Sequence, residues 1–266
     1  MTALVLNPAR SILAELQARQ PLLARAGWIA LGVLVFSLVA MAFDSRTING
    51  LSVWVKPAKF AASFVAWFWT LAWAWGVLAP AAREGRVARI ILWGTLVAGG
   101  FEQGWITWRA ALGQPSHFAT DALGGAMYIL MGIGAVVLVA LAALLGLLVL
   151  RRPDPAQPYP WRLAVGLGLV IGGVLGGVTG ASISAFDTPH IGGTMSDAES
   201  FAPFFWSRDG GDLRVAHFLS IHAMQAVPLL ALLGAGAGLV WLGAAGWTAL
   251  SLAAYALALA GVPLSP

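Results

Sequence analysis

The chain has 266 residues, of which 59% are hydrophobic and only 10% charged, with a net charge of +4 at neutral pH and a mean hydropathy of +0.83. Apolar runs near the length needed to cross hydrocarbon recur along it, so the composition excludes a soluble domain and predicts an all-α integral membrane protein. No cysteine is present, which removes disulfides, thiolate metal sites, iron–sulfur clusters and thiol nucleophiles.

At the N-terminus, Asn7-Pro8 suits a helix cap and first turn. Ile12, Leu13, Leu16, Leu22 and Leu23 follow at near-helical spacing beside Arg10, Arg19 and Arg25. Residues 1–26 are therefore expected to form a short interfacial amphipathic helix, with Glu15 and Arg19 as an i,i+4 pair. The apolar run 27–43 ends in Ala40-Met41-Ala42 and imitates a signal peptide; it is read here as an uncleaved anchor. Further runs at 58–79, 88–112, 122–150, 162–186, 213–236 and 239–262 give seven candidate transmembrane helices in one domain over 27–262. Only a Gly-rich joint separates the last two, so six spans remain open. Arg10, Arg19 and Arg25, then Arg83, Arg86 and Arg89, then Arg151, Arg152 and Arg162 fall on alternate connections. By the positive-inside rule this places the N-terminus inside. The basic balance thus reflects orientation, and no nucleic-acid partner is expected.

The polar residues of the remaining connections and helix ends carry the functional expectations. Lys56 and Lys59, the only lysines, open the second span and are either snorkelling anchors or substrate-facing groups. A retinal protein is excluded, because the last span has no lysine for a Schiff base. Glu102 lies in the third span on one stripe with Trp105 and Arg109, and a carboxylate at that depth needs a proton or a partner. His117 and Asp121 occupy the next outer connection, where Asp121 either orients the imidazole or caps a helix. Seven glycines from Gly166 to Gly180 mark the fifth span for close packing, or for a flat cofactor groove. Residues 187–212 form the longest connection, expected to be a folded cap and bearing Asp187 and His190. Asp212, Arg214, His217, His222 and Gln225 then gather at the start of the sixth span.

All four histidines fall on the predicted outer side. His190, His217, His222 and His117 are thus candidate ligands of a transition metal or haem, since neutral imidazole suits zinc, copper and iron. Glu102 and Asp212 are the candidate catalytic carboxylates; Lys56, Lys59, Arg214 and Gln225 would hold substrate, and Asp121 and Asp187 would orient the ligands. On this reading the chain is a membrane-bound oxidoreductase with a quinone or another small molecule as partner. Two alternatives stay open: a proton-coupled transporter or metal-free binding protein, and a satisfied structural network. His217 and His222 are five residues apart, about 140° around a helix, so one regular helix does not give both to one small ion. An intramembrane zinc hydrolase of the ceramidase and progestin-receptor type is a minor possibility on fold analogy. Its i,i+4 histidine pair in the last span has no counterpart here.

Asn49-Gly50, the run from Val53 to Phe60 (VWVKPAKF), Ser116-His117-Phe118, His190-Ile191-Gly192 and the run from Gly211 to Phe218 (GDLRVAHF), with His222 and Gln225, resemble a family of bacterial multi-span membrane proteins of uncharacterised activity. The resemblance spans about residues 44 to 228. It implies a bacterial cell-membrane location and a shared outer pocket, and it supplies no activity, cofactor or partner. The chain is expected in the inner membrane with its pocket facing the periplasm or exterior, and a homo-oligomer stays open.

Overall fold

The computed structural model describes residues 11–117, 121–194, 200 and 203–263. Among them the chain forms α1 (Ile12–Arg19), α2 (Pro21–Phe43), α3 (Val55–Trp75), α4 (Pro80–Arg83), α5 (Arg86–Ala111), α6 (Ala122–Arg151), α7 (Tyr159–Ala185), α8 (Leu213–Leu232) and α9 (Ala237–Leu259). Two short antiparallel pairs accompany the helices: β1 (Thr47–Ile48) with β2 (Leu51–Ser52), and β3 (His190–Ile191) with β4 (Gly211–Asp212). Asn49 and Gly50 turn the first pair at φ 50° and 82°, the left-handed geometry that an Asn-Gly hairpin supplies.

α2, α6, α7, α8 and α9 are long and apolar enough to cross a membrane. α3 and α5, at 21 and 26 residues, match them in length and pack in the same bundle. Large apolar side chains remain on the outside, among them Ile29, Val97 and Leu242, as helices solvated by lipid require. α8 and α9 are separate helices, because Gly234 turns the chain at φ 93° between them. The helix break near the N-terminus falls at Gln20-Pro21: the Gln20 side chain accepts the Leu22 N–H at 3.0 Å, and Pro21 needs no donor in a first turn. Leu22 and Leu23 therefore belong to α2, and Asn7, Pro8 and Arg10 lie outside the described residues.

One end of the bundle is held by arginine. Arg19, paired with Glu15 at 2.9 Å, donates to the Trp73 carbonyl at 3.0 Å, and Arg83 donates to the Gly76 and Leu78 carbonyls at 3.0 and 2.8 Å. Both guanidinium groups meet the C-terminal carbonyls of α3, where a cation is favoured by the helix dipole. Backbone bonds from Ala79 to Arg152 and from Asp154 to Val77 tie the α3–α4 turn to the α6–α7 connection at this same end. Lys56, Lys59, Arg109, Asp121, Asp212 and Arg214 sit at or near the opposite helix ends.

α7 lies at the centre of the packing and approaches two neighbours through two glycine rows. A Cβ on Gly168 or Gly172 would lie 2.7 or 2.9 Å from the Ala223 or Ile221 carbonyl of α8. One on Gly173 would lie 2.5 Å from the Val139 carbonyl of α6, and one on Gly146 of α6 would lie 2.8 Å from the Gly166 carbonyl. The rows thus serve helix-on-helix contact. Gly173→Ala is expected to lower stability by about 1–3 kcal/mol through overpacking against backbone, while Gly132→Ala, which meets open space, is expected to be neutral or stabilising. Thermal unfolding of the two variants in detergent, followed by circular dichroism, checks this; equal melting temperatures would contradict it.

Candidate functional site

Glu102 sits two and a half turns from the end of α5 and is 3% exposed. Its Oε1 has no hydrogen-bond partner among the described residues and points to α6, where a Cβ on Gly134 would meet it at 2.8 Å. Lys56, in the first turn of α3, is the cation whose field reaches Glu102. The walls come from three helices: Phe60 of α3, Trp105 and Ile106 of α5, and Met127 and Met131 of α6 pack as one cluster. His117 closes the group from the α5–α6 connection, its ring 6.2 Å from that of Phe60 and 5.7 Å from that of Tyr128. The Ser116 hydroxyl meets its Nδ1 at 3.1 Å, and Trp105 Nε1 holds the Ser116 carbonyl at 3.1 Å. Burial, helped by the positive field of Lys56, holds the His117 imidazole well below its usual pKa, so it stays neutral near neutral pH.

A second group runs along α8. Gln225 Nε2 donates to Thr70 Oγ1 of α3 at 2.9 Å, and its Oε1 meets His222 Nδ1 at 3.1 Å. The His222 ring packs on Phe218 with centroids 4.2 Å apart. His217 faces the other way, toward α7: Thr179 Oγ1 meets its Nδ1 at 3.3 Å, and the missing Cβ of Gly180 makes room for its ring.

The described parts of the connection between α7 and α8 pack at this end. His190 pairs with Asp212 in the β3–β4 register, and Leu213 N–H donates to the Pro189 carbonyl at 2.9 Å. Asp212, 4% exposed, takes the Arg214 guanidinium on both oxygens and also accepts the Ser207 N–H at 2.9 Å. Arg214 reaches on to the Phe205 carbonyl at 2.8 Å. Lys59 donates to the Phe204 carbonyl at 2.6 Å, with its ammonium 5.4 Å from the Phe205 ring. Phe204 and Trp206 stack on each other and both meet Phe218.

The residues singled out from the sequence therefore divide into three sets. Lys56, Glu102 and His117 share the α3–α5–α6 cluster; His222 and Gln225 share the α8 line, with His217 on its far side; His190, Asp212 and Arg214 build the cap, to which Lys59 is tied. Asp121 does not orient His117: it caps α6 through the Gly124 N–H at 2.8 Å and binds Arg109 at 2.8 Å. Arg109, on the Glu102 stripe, is thus committed to Asp121 and to the Pro115 carbonyl rather than to Glu102. Asp187 is exposed just past α7 with φ 55°. Among the described residues no group of three or more histidine or acidic side chains could hold a metal ion. The candidate donors lie in separate sets.

Several partners were not singled out from the sequence. Tyr128, Phe60 and Phe218 read as ordinary apolar helix positions, and Thr70 and Thr179 carry no local signal. Asp44 was also passed over; it accepts from Arg46 and from Trp54 Nε1 and thereby ties the end of α2 to the start of α3. Comparison of the chain with protein-family models, with curated proteins and with solved structures gave no match in any of the three.

The Gly124 N–H and the Arg109 guanidinium hold the Asp121 carboxyl below its usual pKa. A carboxyl depressed on folding contributes stability that is full above the unfolded value of about 4 and is lost as pH falls below it. Asp121→Asn should therefore reduce the melting temperature at pH 7 and flatten its fall between pH 5 and pH 3. Parallel pH–melting curves for wild type and variant would contradict the assignment.

Proposed function

We propose that this chain is a seven-span protein of the bacterial inner membrane, with a cytoplasmic N-terminus, whose periplasmic-side cluster binds a small molecule through Glu102. The observation that carries the reading is the Glu102 carboxyl: 3% exposed, with one oxygen lacking any partner among the described residues. A buried carboxyl oxygen without a donor is costly, and it marks a place where a proton or a ligand's N–H or O–H group supplies the missing bond. The surrounding Phe60, Trp105, Met127 and Met131 supply apolar contact, the usual make-up of a small-molecule site with few polar anchors. Neutral His117 and charged Lys56 stand beside the carboxyl as further polar anchors.

Proton-coupled transport is the second reading, favoured by Thr95. It lies two turns inward from Glu102 on the same stripe of α5, fully buried, with its hydroxyl unpartnered among the described residues, and so extends the polar line toward the other end.

Mass spectrometry of organic extracts from the purified protein tests the binding reading. Wild type should carry a small molecule that Glu102→Ala loses by about tenfold or more, the loss expected when a buried charge-assisted hydrogen bond is removed. Glu102→Gln, of similar shape, should retain an intermediate amount. Identical extracts from wild type and a folded Glu102→Ala would overturn the reading. In proteoliposomes, a proton flux abolished by both Glu102→Gln and Thr95→Val would move transport to the front.

A further inference from the structure

Two arginine pairs, Arg86 with Arg89 and Arg151 with Arg152, are exposed at the end of the bundle that Arg19 and Arg83 hold together. The ion pairs among the described residues take Arg19, Arg46, Arg83, Arg109 and Arg214, and none takes these four. Nor do Arg86 and Arg89 serve the helix that carries them. They stand in the first turn of α5, where the helix dipole disfavours a cation, and no acidic residue shares that turn. Glu84, also exposed, offsets one of the four charges.

The backbone sets the two pairs side by side. Ala79 N–H donates to the Arg152 carbonyl at 2.9 Å, and the Arg83 guanidinium meets the Asp154 carboxyl at 3.7 Å. Arg83 precedes Arg86 by three residues, and Asp154 follows Arg152 by two. α5 and α6 also run alongside each other in opposite directions: Leu141 fills the space beside Gly94, and Glu102 the space beside Gly134. Counted from the Gly94–Leu141 contact at 1.5 Å per residue, Arg86 lies about 12 Å along α5 and Arg151 about 15 Å along α6. The two pairs are therefore level to within about one turn.

From the arginines toward the middle of the bundle, the same two helices turn apolar side chains outward. Ile90, Trp93 and Val97 of α5 are exposed, as are Leu144 and Leu147 of α6. Trp93 follows Arg89 by one turn, the place where an indole sits at headgroup level. Hydrocarbon surface on two adjacent helices that ends in fixed positive charge is complementary to acyl chains joined to an anionic headgroup. A guanidinium takes phosphate through its planar fork, and two arginine pairs match two phosphates.

We infer that the outward face of α5 and α6 at this end is a docking site for a phospholipid with two phosphates, a cardiolipin. Its acyl chains lie over Ile90, Trp93, Val97 and Leu147, and one phosphate sits at each arginine pair. The site is about 20 Å along α5 from Glu102, and its test is independent of that carboxyl.

Native mass spectrometry of the protein released from nanodiscs of cardiolipin, phosphatidylglycerol and phosphatidylcholine in equal parts is the first test. Wild type should keep one cardiolipin per chain at collision energies that strip the other two lipids. Titrated in detergent, cardiolipin should bind at least about tenfold more tightly than phosphatidylglycerol, which carries one phosphate. Arg86→Gln combined with Arg89→Gln should weaken cardiolipin binding by about tenfold or more, since each arginine near a lipid surface contributes about fivefold. Arg25→Gln, at an exposed position on α2, should leave it unchanged. Trp93→Cys, in a chain with no cysteine of its own, should form no disulfide-linked dimer in membranes. Equal binding of the three lipids would overturn the inference, and this wild-type result stands even where a variant fails to insert. Unchanged binding by a correctly inserted double variant would do the same, as would an equal loss from Arg25→Gln, the mark of a diffuse positive belt. A Trp93→Cys dimer would give the face to a second copy of the chain.

Discussion

The close approach of α7 to its neighbours sets the rotation of α8, and the polar architecture follows from it. With Gly168 and Gly172 against the α8 backbone, α8 cannot turn without driving a side chain into that contact. Its buried side is thereby fixed as Val215, Ala216, Ala223, Met224 and Val227. His217 is left facing Thr179 and Gly180, and Phe218, His222 and Gln225 are left facing α3. Glycine here does not create a site. It determines which of two histidines on one helix is enclosed against α7 and which lies beside Gln225 and α3.

Charge is divided between the two ends by related constraints. Arginines at one end satisfy carbonyls that helix termini leave open, as Arg19 and Arg83 do for α3. At the other end Asp121 caps α6 and Asp212 caps α8, an anion at a helix N-terminus in each case. The distribution that reads in sequence as orientation therefore also closes helix termini, and the same side chains serve both purposes. This accounts for why Asp121, Asp212, Arg109 and Arg214 pair with one another and leave the histidines to other partners.

Among the described residues the long helices were legible because apolar runs are the strongest signal in this chain; α2, α6, α7, α8 and α9 are long and apolar enough to cross a membrane, and the helix boundaries fall within a few residues of those expected. The first helix starts earlier, at Pro21, since an apolar count cannot register a proline and a glutamine that jointly break and restart a helix. Candidate site residues were legible as types: four acids, four histidines, two lysines, an arginine and a glutamine in a chain poor in polar groups. Their grouping was not. Asp121 and His117 stand four apart, yet the helix begins at Ala122, after both, so the i,i+4 geometry never forms. Thr70 and Gln225 are separated by 155 positions, and Tyr128 meets the His117 ring from within α6. Such pairings depend on helix rotation, which one sequence read by hydropathy does not encode.

The groups that remain unsatisfied are more informative than the groups that are paired. Among the described residues at the end of the bundle that carries Asp121, Asp212 and Arg214, most polar side chains answer to one another, and a network of this kind is stabilising whether or not anything binds beneath it. Glu102 Oε1 differs, because it is the one carboxylate oxygen among the described residues that is buried without a partner. It is an acceptor against Gly134 of α6. In hydrocarbon, where water does not supply the missing bond, an orphan acceptor calls for a proton or a donor and an orphan donor for an oxygen.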